Sequence, residues 1–323
     1  MFNDANFERL IMSRQITSHV MMIRPVSFRM NTETAVNNYY QKVIEGLSED
    51  KAQEQALAEF DNFVNKLRFH GIKVTVIDDT IDPETPDSIF PNNWISFHHD
   101  GRIALYPMFA ENRRLERRDD IIEILKEDGF SVNQIKDFSP FEETNKYLEG
   151  TGSMLLDRTN HLVYAAISQR TDLDVLQNFC QEFSYKPVTF HANHTVAGKR
   201  LAIYHTNVMM CLTENIAVIC LDSIDDTNEK ASVIDNLKKT NKEIIEITEE
   251  QVNHFAGNML SLTNDTNERF LVMSNAAKSI LTTKQIAVIA KYYKIIASSL
   301  DTIEALGGGS ARCMMAEVFL PKK

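Results

Sequence analysis

The chain has 323 residues, with 34 lysine and arginine side chains against 45 aspartates and glutamates, a net charge of −11 with histidines neutral. This length allows a core large enough to enclose a reactive site. The acidic balance argues against nucleic acid or an anionic membrane as partner, and no stretch approaches the roughly 18 apolar residues of a membrane span.

Residues 20–23 read as a buried strand ended by Arg24-Pro25. Ala56, Leu57, Phe60, Phe63, Val64 and Leu67 have helical spacing and predict a helix over 54–69. Gly71 closes it, and 72–77 alternate as a strand. Residues 94–97 and 102–106 predict a hairpin around Asp100-Gly101, a type I′ turn signal. A helix over 115–126 and a strand over 130–132 follow. The same order recurs: a hairpin from 152–156 and 161–166, a helix over 173–183, a strand over 187–190. It recurs again with 208–212 and 216–220, then 231–239, then 243–247. A fourth round takes 258–262 and 269–274, a helix over 284–291 and a strand over 294–297.

The unit is strand, strand, helix, strand, with a period of roughly 50 residues. It repeats four times, and the two chain ends make a fifth. We read 1–323 as a single α/β domain whose units are arrayed around an axis. An ordinary open α/β sheet is the alternative for the same periodicity.

Polar residues recur at the mouth of each hairpin. They are Phe90-Pro91-Asn92-Asn93-Trp94, Leu148-Glu149-Gly150-Thr151-Gly152-Ser153, Tyr204-His205-Thr206-Asn207, Phe255-Ala256-Gly257-Asn258, and Gly307-Gly308-Gly309 leading to Cys313. Units around one axis would bring these mouths together. A thiol, an imidazole and a carboxylate would then share a pocket, a set sufficient for covalent catalysis. Cys313 is the candidate nucleophile, with packing in the core as its alternative. His205 is either a proton shuttle or a structural histidine, and Glu149 would orient it. Cys180, Cys211 and Cys220 lie on apolar faces and read as core. No C-x-x-C pair occurs, so a zinc or redox-disulfide centre is not expected. His98-His99 and the pair His191 and His194 read as surface. Arg113-Arg114-Leu115-Glu116-Arg117-Arg118 reads as a solvated helix face or a ligand clamp. Residues 1–16 lack the apolar run of a leader peptide, and the free thiols suggest a reduced, cytoplasmic protein.

These motifs, in this order, resemble the pentein superfamily of guanidino-group-modifying enzymes. Its members include arginine deiminases, dimethylarginine dimethylaminohydrolases, amidinotransferases and succinylarginine dihydrolases. The similarity runs from Ser18-His19-Val20-Met21-Met22-Ile23-Arg24-Pro25 to Ala311-Arg312-Cys313-Met314-Met315. It looks nearest to the bacterial branch labelled amidinotransferase or citrulline-utilisation hydrolase. The resemblance implies a five-bladed, pseudo-symmetric α/β propeller of ββαβ units with a central site and no metal or organic cofactor. It implies Cys313 as nucleophile, His205 as general acid and base, and Glu149 as the carboxylate of the glutamate-glycine motif.

Asn93 and Asn207 stand where the deiminase pattern has aspartates. Amides suit a neutral ureido group better than a guanidinium, so citrulline hydrolysis is expected over plain arginine deimination. A dihydrolase carrying arginine through the ureido stage is nearly as compatible. Asn92, Gly308 and Gly309 are further candidates for substrate contact. Arg113, Arg114 or Arg117 would bind the substrate carboxylate. The alternatives are an amidinotransferase, a dimethylarginine- or arginine-deiminase-type hydrolase, and a non-enzymatic amino-acid-binding protein. The expected partner is an arginine- or citrulline-like small molecule, and a homo-oligomer is compatible.

Overall fold

The computed structural model describes residues 14–323; most of the segment read above for a leader peptide lies outside them. Among the described residues are five three-stranded mixed sheets and one two-stranded hairpin. None of the sheets closes on itself. Each three-stranded sheet has one antiparallel and one parallel pairing. Ile95–Phe97 runs antiparallel to Arg102–Leu105, which runs parallel to Gln134–Asp137. Leu155–Asp157, Leu162–Ala166 and Lys186–Phe190 repeat the pattern. So do Met210–Leu212, Ile216–Ile219 and Glu243–Glu246, and Leu260–Thr263, Arg269–Ser274 and Lys294–Ser298. The fifth sheet joins the two ends of the chain. His19–Arg24 pairs in parallel with Lys73–Asp78 and antiparallel with Ala316–Glu317.

A parallel pair needs a crossover, and each one here contains a helix. Glu49–Phe69 buries Ala52, Ala56, Phe60, Phe63, Val64 and Leu67, one stripe at helical period. Asp172 caps Leu173–Phe183 by accepting from the amides of Asp174 and Val175, and Asp226 caps Thr227–Lys239 in the same way. Thr282 and Gln285 form a capping box on Thr283–Ala290. No helix among the described residues is long and apolar enough to cross a membrane.

The structure corrects several local expectations. The first helix starts at Glu49, a turn earlier than the apolar spacing shows, because Ser48 caps it. The helix expected over 115–126 is Asp120–Glu127, preceded by a separate turn at Glu111–Arg114. The break has a cause: Arg113 turns inward and is buried, so 113–118 is not a uniformly solvated face. The strand expected over 130–132 lies at Gln134–Asp137, because Phe130 and Ser131 bond the chain end at Lys322 and Pro321. A hairpin of Asn193–Val196 and Lys199–Ala202 was not anticipated. Its Ala197-Gly198 turn has φ of 47° and 77°, both positive, without the Asn-Gly or Asp-Gly signal. His98 and His194 are buried, not surface; they stack on Phe183 at 4.1 Å and Tyr40 at 4.9 Å.

Candidate active site

Short turns occupy three hairpin mouths, and two of them take the first residues of strands expected from 152 and 208. Pro91–Asn93, Gly150–Ser153 and Thr206–Met209 are single turns placed just before the first strand of their sheets. The hairpin mouths touch in a closed ring. A Cβ on Gly150 would lie 2.4 Å from the Asn92 carbonyl oxygen. Thr206 Oγ1 donates to the Ser153 carbonyl at 2.5 Å. Asn258 Nδ2 donates to the Asn207 carbonyl at 3.0 Å, and the Arg312 amide donates to Asn258 Oδ1 at 3.0 Å. Gly307 closes the ring against Phe90, whose Cζ would meet its Cβ at 2.7 Å.

Cys313 follows the helix Asp301–Gly307, which ends at Gly308 with φ 61°. A left-handed residue there suits glycine, and a Cβ would also strike the Asn38 side chain at 2.5 Å. The Gly308 carbonyl accepts from the Tyr204 hydroxyl at 2.7 Å. Cys313 is 3 % exposed, and its Sγ accepts from Asn258 Nδ2 at 3.2 Å and Asn207 Nδ2 at 3.5 Å.

His205 Nε2 lies 2.7 Å from Glu149 Oε2, and both residues are buried. Glu149 also accepts from the Phe109 amide at 3.0 Å and meets Arg170 Nη1 at 3.4 Å. Burial acts to raise the Glu149 pKa, but Arg170, His205 and Arg113 outweigh it and hold the carboxyl well below the usual range. Burial pulls His205 down to about 4 against the opposing pull of Glu149. The resting pair is therefore an ionised Glu149 and a neutral His205. The carboxylate can only accept, so Nε2 carries the imidazole proton and Nδ1 is left as the base. Nδ1 lies beside Gly152, whose Cβ would fall 2.8 Å from it and 2.4 Å from Asn93 Nδ2. The second glycine of Glu149-Gly150-Thr151-Gly152 thus lets two site residues approach.

The asparagines are held with fixed faces. Asn93 Oδ1 accepts from Arg113 Nη1 at 2.8 Å, leaving Nδ2 buried without a partner. Asn207 donates through Nδ2, leaving Oδ1 without one. Asn92 Nδ2 donates to Thr151 Oγ1 at 3.3 Å. Arg113 is clamped by Glu116 at 2.8 and 2.9 Å. Burial pushes Glu116 up to about 7 even against Arg113.

A small cavity brings together Cys313, His205, Asn93, Arg113 and Gly309. Arg114 and Arg117 lie elsewhere: Arg117 forks onto Glu142 at 2.6 and 2.9 Å, and Arg114 donates to the Met108 carbonyl. Asp87, Arg170, Thr34 and Asn38 line the cavity without having been singled out. Asp87 Oδ2 accepts from Asn31 at 2.9 Å and Thr34 at 3.1 Å, while Oδ1 is buried without a partner. Arg170 sits in an unremarked loop, and Thr34 and Asn38 in an irregular stretch after the first strand; none had a pattern to mark it. Among the described residues no cluster of three or more histidine, cysteine or acidic side chains is placed to hold a metal.

A thiol held by amide donors and a carboxylate-oriented imidazole thus line one cavity. The family model described as N,N dimethylarginine dimethylhydrolase, eukaryotic, matches residues 24–320, and the chain belongs to that family of guanidino-modifying enzymes. None of the curated proteins compared matches it in sequence. Among solved structures it is similar to apo ArgZ, an arginine dihydrolase from the ornithine-ammonia cycle in cyanobacteria. The TM-score is 0.71 at 17 % identity, over 94 % of this chain and 41 % of that one. It is also similar to the substrate-bound N-terminal domain of an ArgZ mutant, with TM-score 0.69 and 18 % identity, over 94 % of this chain and 99 % of that one. A third similar structure is a mutant dimethylarginine dimethylaminohydrolase in adduct with S-methyl-L-thiocitrulline. There the TM-score is 0.63 at 15 % identity, over 94 % and 100 %. The chain therefore spans less than half of the apo ArgZ chain, and structural likeness at these identities shows the shared α/β fold alone.

Proposed function

We propose that the protein hydrolyses a C–N bond at the guanidino or ureido carbon of an arginine- or citrulline-like amino acid through a Cys313 adduct. The observation that carries this is one cavity containing Cys313 and a neutral His205 fixed by ionised Glu149. In this reading the Cys313 proton passes to His205, and Sγ attacks the planar carbon. His205 returns the proton to the departing nitrogen, which leaves as ammonia. Water, deprotonated by His205, then adds to the carbon and the C–S bond breaks, restoring the thiol. A ureido substrate leaves as a carbamate that decomposes to the amine and carbon dioxide. The closed ring of contacts between hairpin mouths supports arranging the five sheets as blades of a propeller with the site at one end of its axis.

Asn93 presents a free donor and Asn207 a free acceptor. Asn93 lines the cavity, and a ureido oxygen matches its free N–H. A guanidinium offers donors only and would leave Asn93 unpaired. One observation favours a second reading, a dihydrolase acting first on arginine: the free Oδ1 of Asp87 supplies a carboxylate to a cation. Arg113 and Arg170 line the cavity, but Arg113 is held by Glu116 and Asn93 and Arg170 by Asn37 and Glu149, so neither is a free partner for the substrate carboxylate. The test is to offer arginine, citrulline, dimethylarginine, agmatine and their N-succinyl derivatives, measuring ammonia, urea and the amine product. The proposal expects ornithine and ammonia from citrulline. Release of neither ammonia nor amine from any of them would end it.

A further inference from the structure

The fourth hairpin mouth contributes a residue whose contacts are unlike those of the other asparagines. Asn258 is 1 % exposed, and every polar group of its side chain is engaged at the nucleophile. Nδ2 donates to Cys313 Sγ at 3.2 Å and to the Asn207 carbonyl at 3.0 Å, and Oδ1 accepts from the Arg312 amide at 3.0 Å. The orientation of the amide is thereby fixed. Flipping it would set Oδ1 against a carbonyl oxygen and the NH2 group against a backbone N–H. The sequence makes room for this: a Cβ on Gly257 would lie 2.3 Å from the Val208 carbonyl oxygen, so only glycine lets this mouth close on the Thr206–Met209 turn. Asn258 thus ties the turn carrying Asn207 to the loop carrying Cys313.

We infer that Asn258 is a positioning residue that holds Cys313 Sγ in place for reaction through a fixed N–H donor. Its amide cannot turn away without breaking the contacts to the Asn207 carbonyl and the Arg312 amide, so the donor stays aimed at the sulfur. Asn207 adds a second, longer contact. The inference rests on the reading of Cys313 as nucleophile, but its test addresses the sulfur itself and needs no substrate.

The experiment is the rate of iodoacetamide alkylation at Cys313 in the full chain, followed by peptide mass spectrometry. That readout separates Cys313 from the other three buried cysteines. Asn258→Ala removes the donor and should slow alkylation of Cys313 about tenfold. Asn258→Leu keeps the size, adds no charge and removes the donor, and should slow it as far. Loosened packing alone would expose the buried sulfur and speed the reaction. An unchanged or faster rate in both variants would overturn the inference. Failure of the proposed function looks different: turnover would persist in Cys313→Ser whatever the alkylation rate does.

Discussion

Glu149 accepts a 2.7 Å hydrogen bond from Nε2 of His205, and neither side chain is appreciably exposed. The carboxylate stays ionised because Arg170 and Arg113 lie near it, and the imidazole stays neutral because burial penalises its charge.

This sets the pH dependence. The acid limb of kcat/KM should fall near the His205 pKa of about 4, not near 6.5. Linkage has the same sign. A histidine whose folded pKa is lowered binds protons more readily when unfolded, so stability should drop as pH falls from about 6.5 towards 4. Glu149, whose folded pKa is depressed, gives stability that is present above its unfolded pKa and lost as pH falls through the folded one. Rate profiles and thermal melts from about pH 2 to 8 check both; an acid limb near pH 6.5 would show that burial does not govern His205.

Glu149→Gln keeps the shape but removes the charge that orients His205. Activity should fall about 100-fold or more, the usual scale of a general acid–base contribution. A kcat close to that of the parent would make Glu149 a structural carboxylate.

Gly152→Ala should be more damaging than a single methyl suggests. Its Cβ would lie 2.4 Å from Asn93 Nδ2 and 2.8 Å from His205 Nδ1. Displacements on this scale cost about 100-fold in rate. The check is kcat beside the melting temperature: a large loss of rate with a small change in melting is expected.

Asn93→Asp should favour guanidinium over ureido substrates. The new carboxylate would still bond Arg113, and it would replace the free N–H with an acceptor. The ratio of kcat/KM for arginine and citrulline reads this directly, and an unchanged ratio would show that Asn93 does not discriminate between them.

Much of this site could be read from sequence because its parts fall at one position in each repeat. Asn93, Glu149, His205 and Cys313 each stand at a hairpin mouth, and the repeat carries the inference that they meet. Asp87 and Arg170 were missed because they lie outside the mouths, where no periodicity marks them. Asn258 stands at a mouth, yet its contact with Sγ depends on Gly257 allowing a close approach, which spacing does not encode. Arg113, Arg114 and Arg117 were indistinguishable in sequence. What separates them is the carboxylate each one finds: Glu116 behind the site for Arg113, Glu142 away from it for Arg117. The hairpin at Asn193–Val196 and Lys199–Ala202 escaped notice because Ala197 takes a positive φ that alanine rarely adopts.

The central claim is that Cys313 forms a covalent bond to the substrate carbon. Rapid acid quenching of the protein with arginine or citrulline during turnover, followed by mass spectrometry of the Cys313 peptide, addresses it directly. The account predicts a substrate-derived adduct on that peptide, absent in Cys313→Ser, which should fold and be inactive. Turnover by Cys313→Ser, or an adduct on Cys180, Cys211 or Cys220 instead, would contradict it.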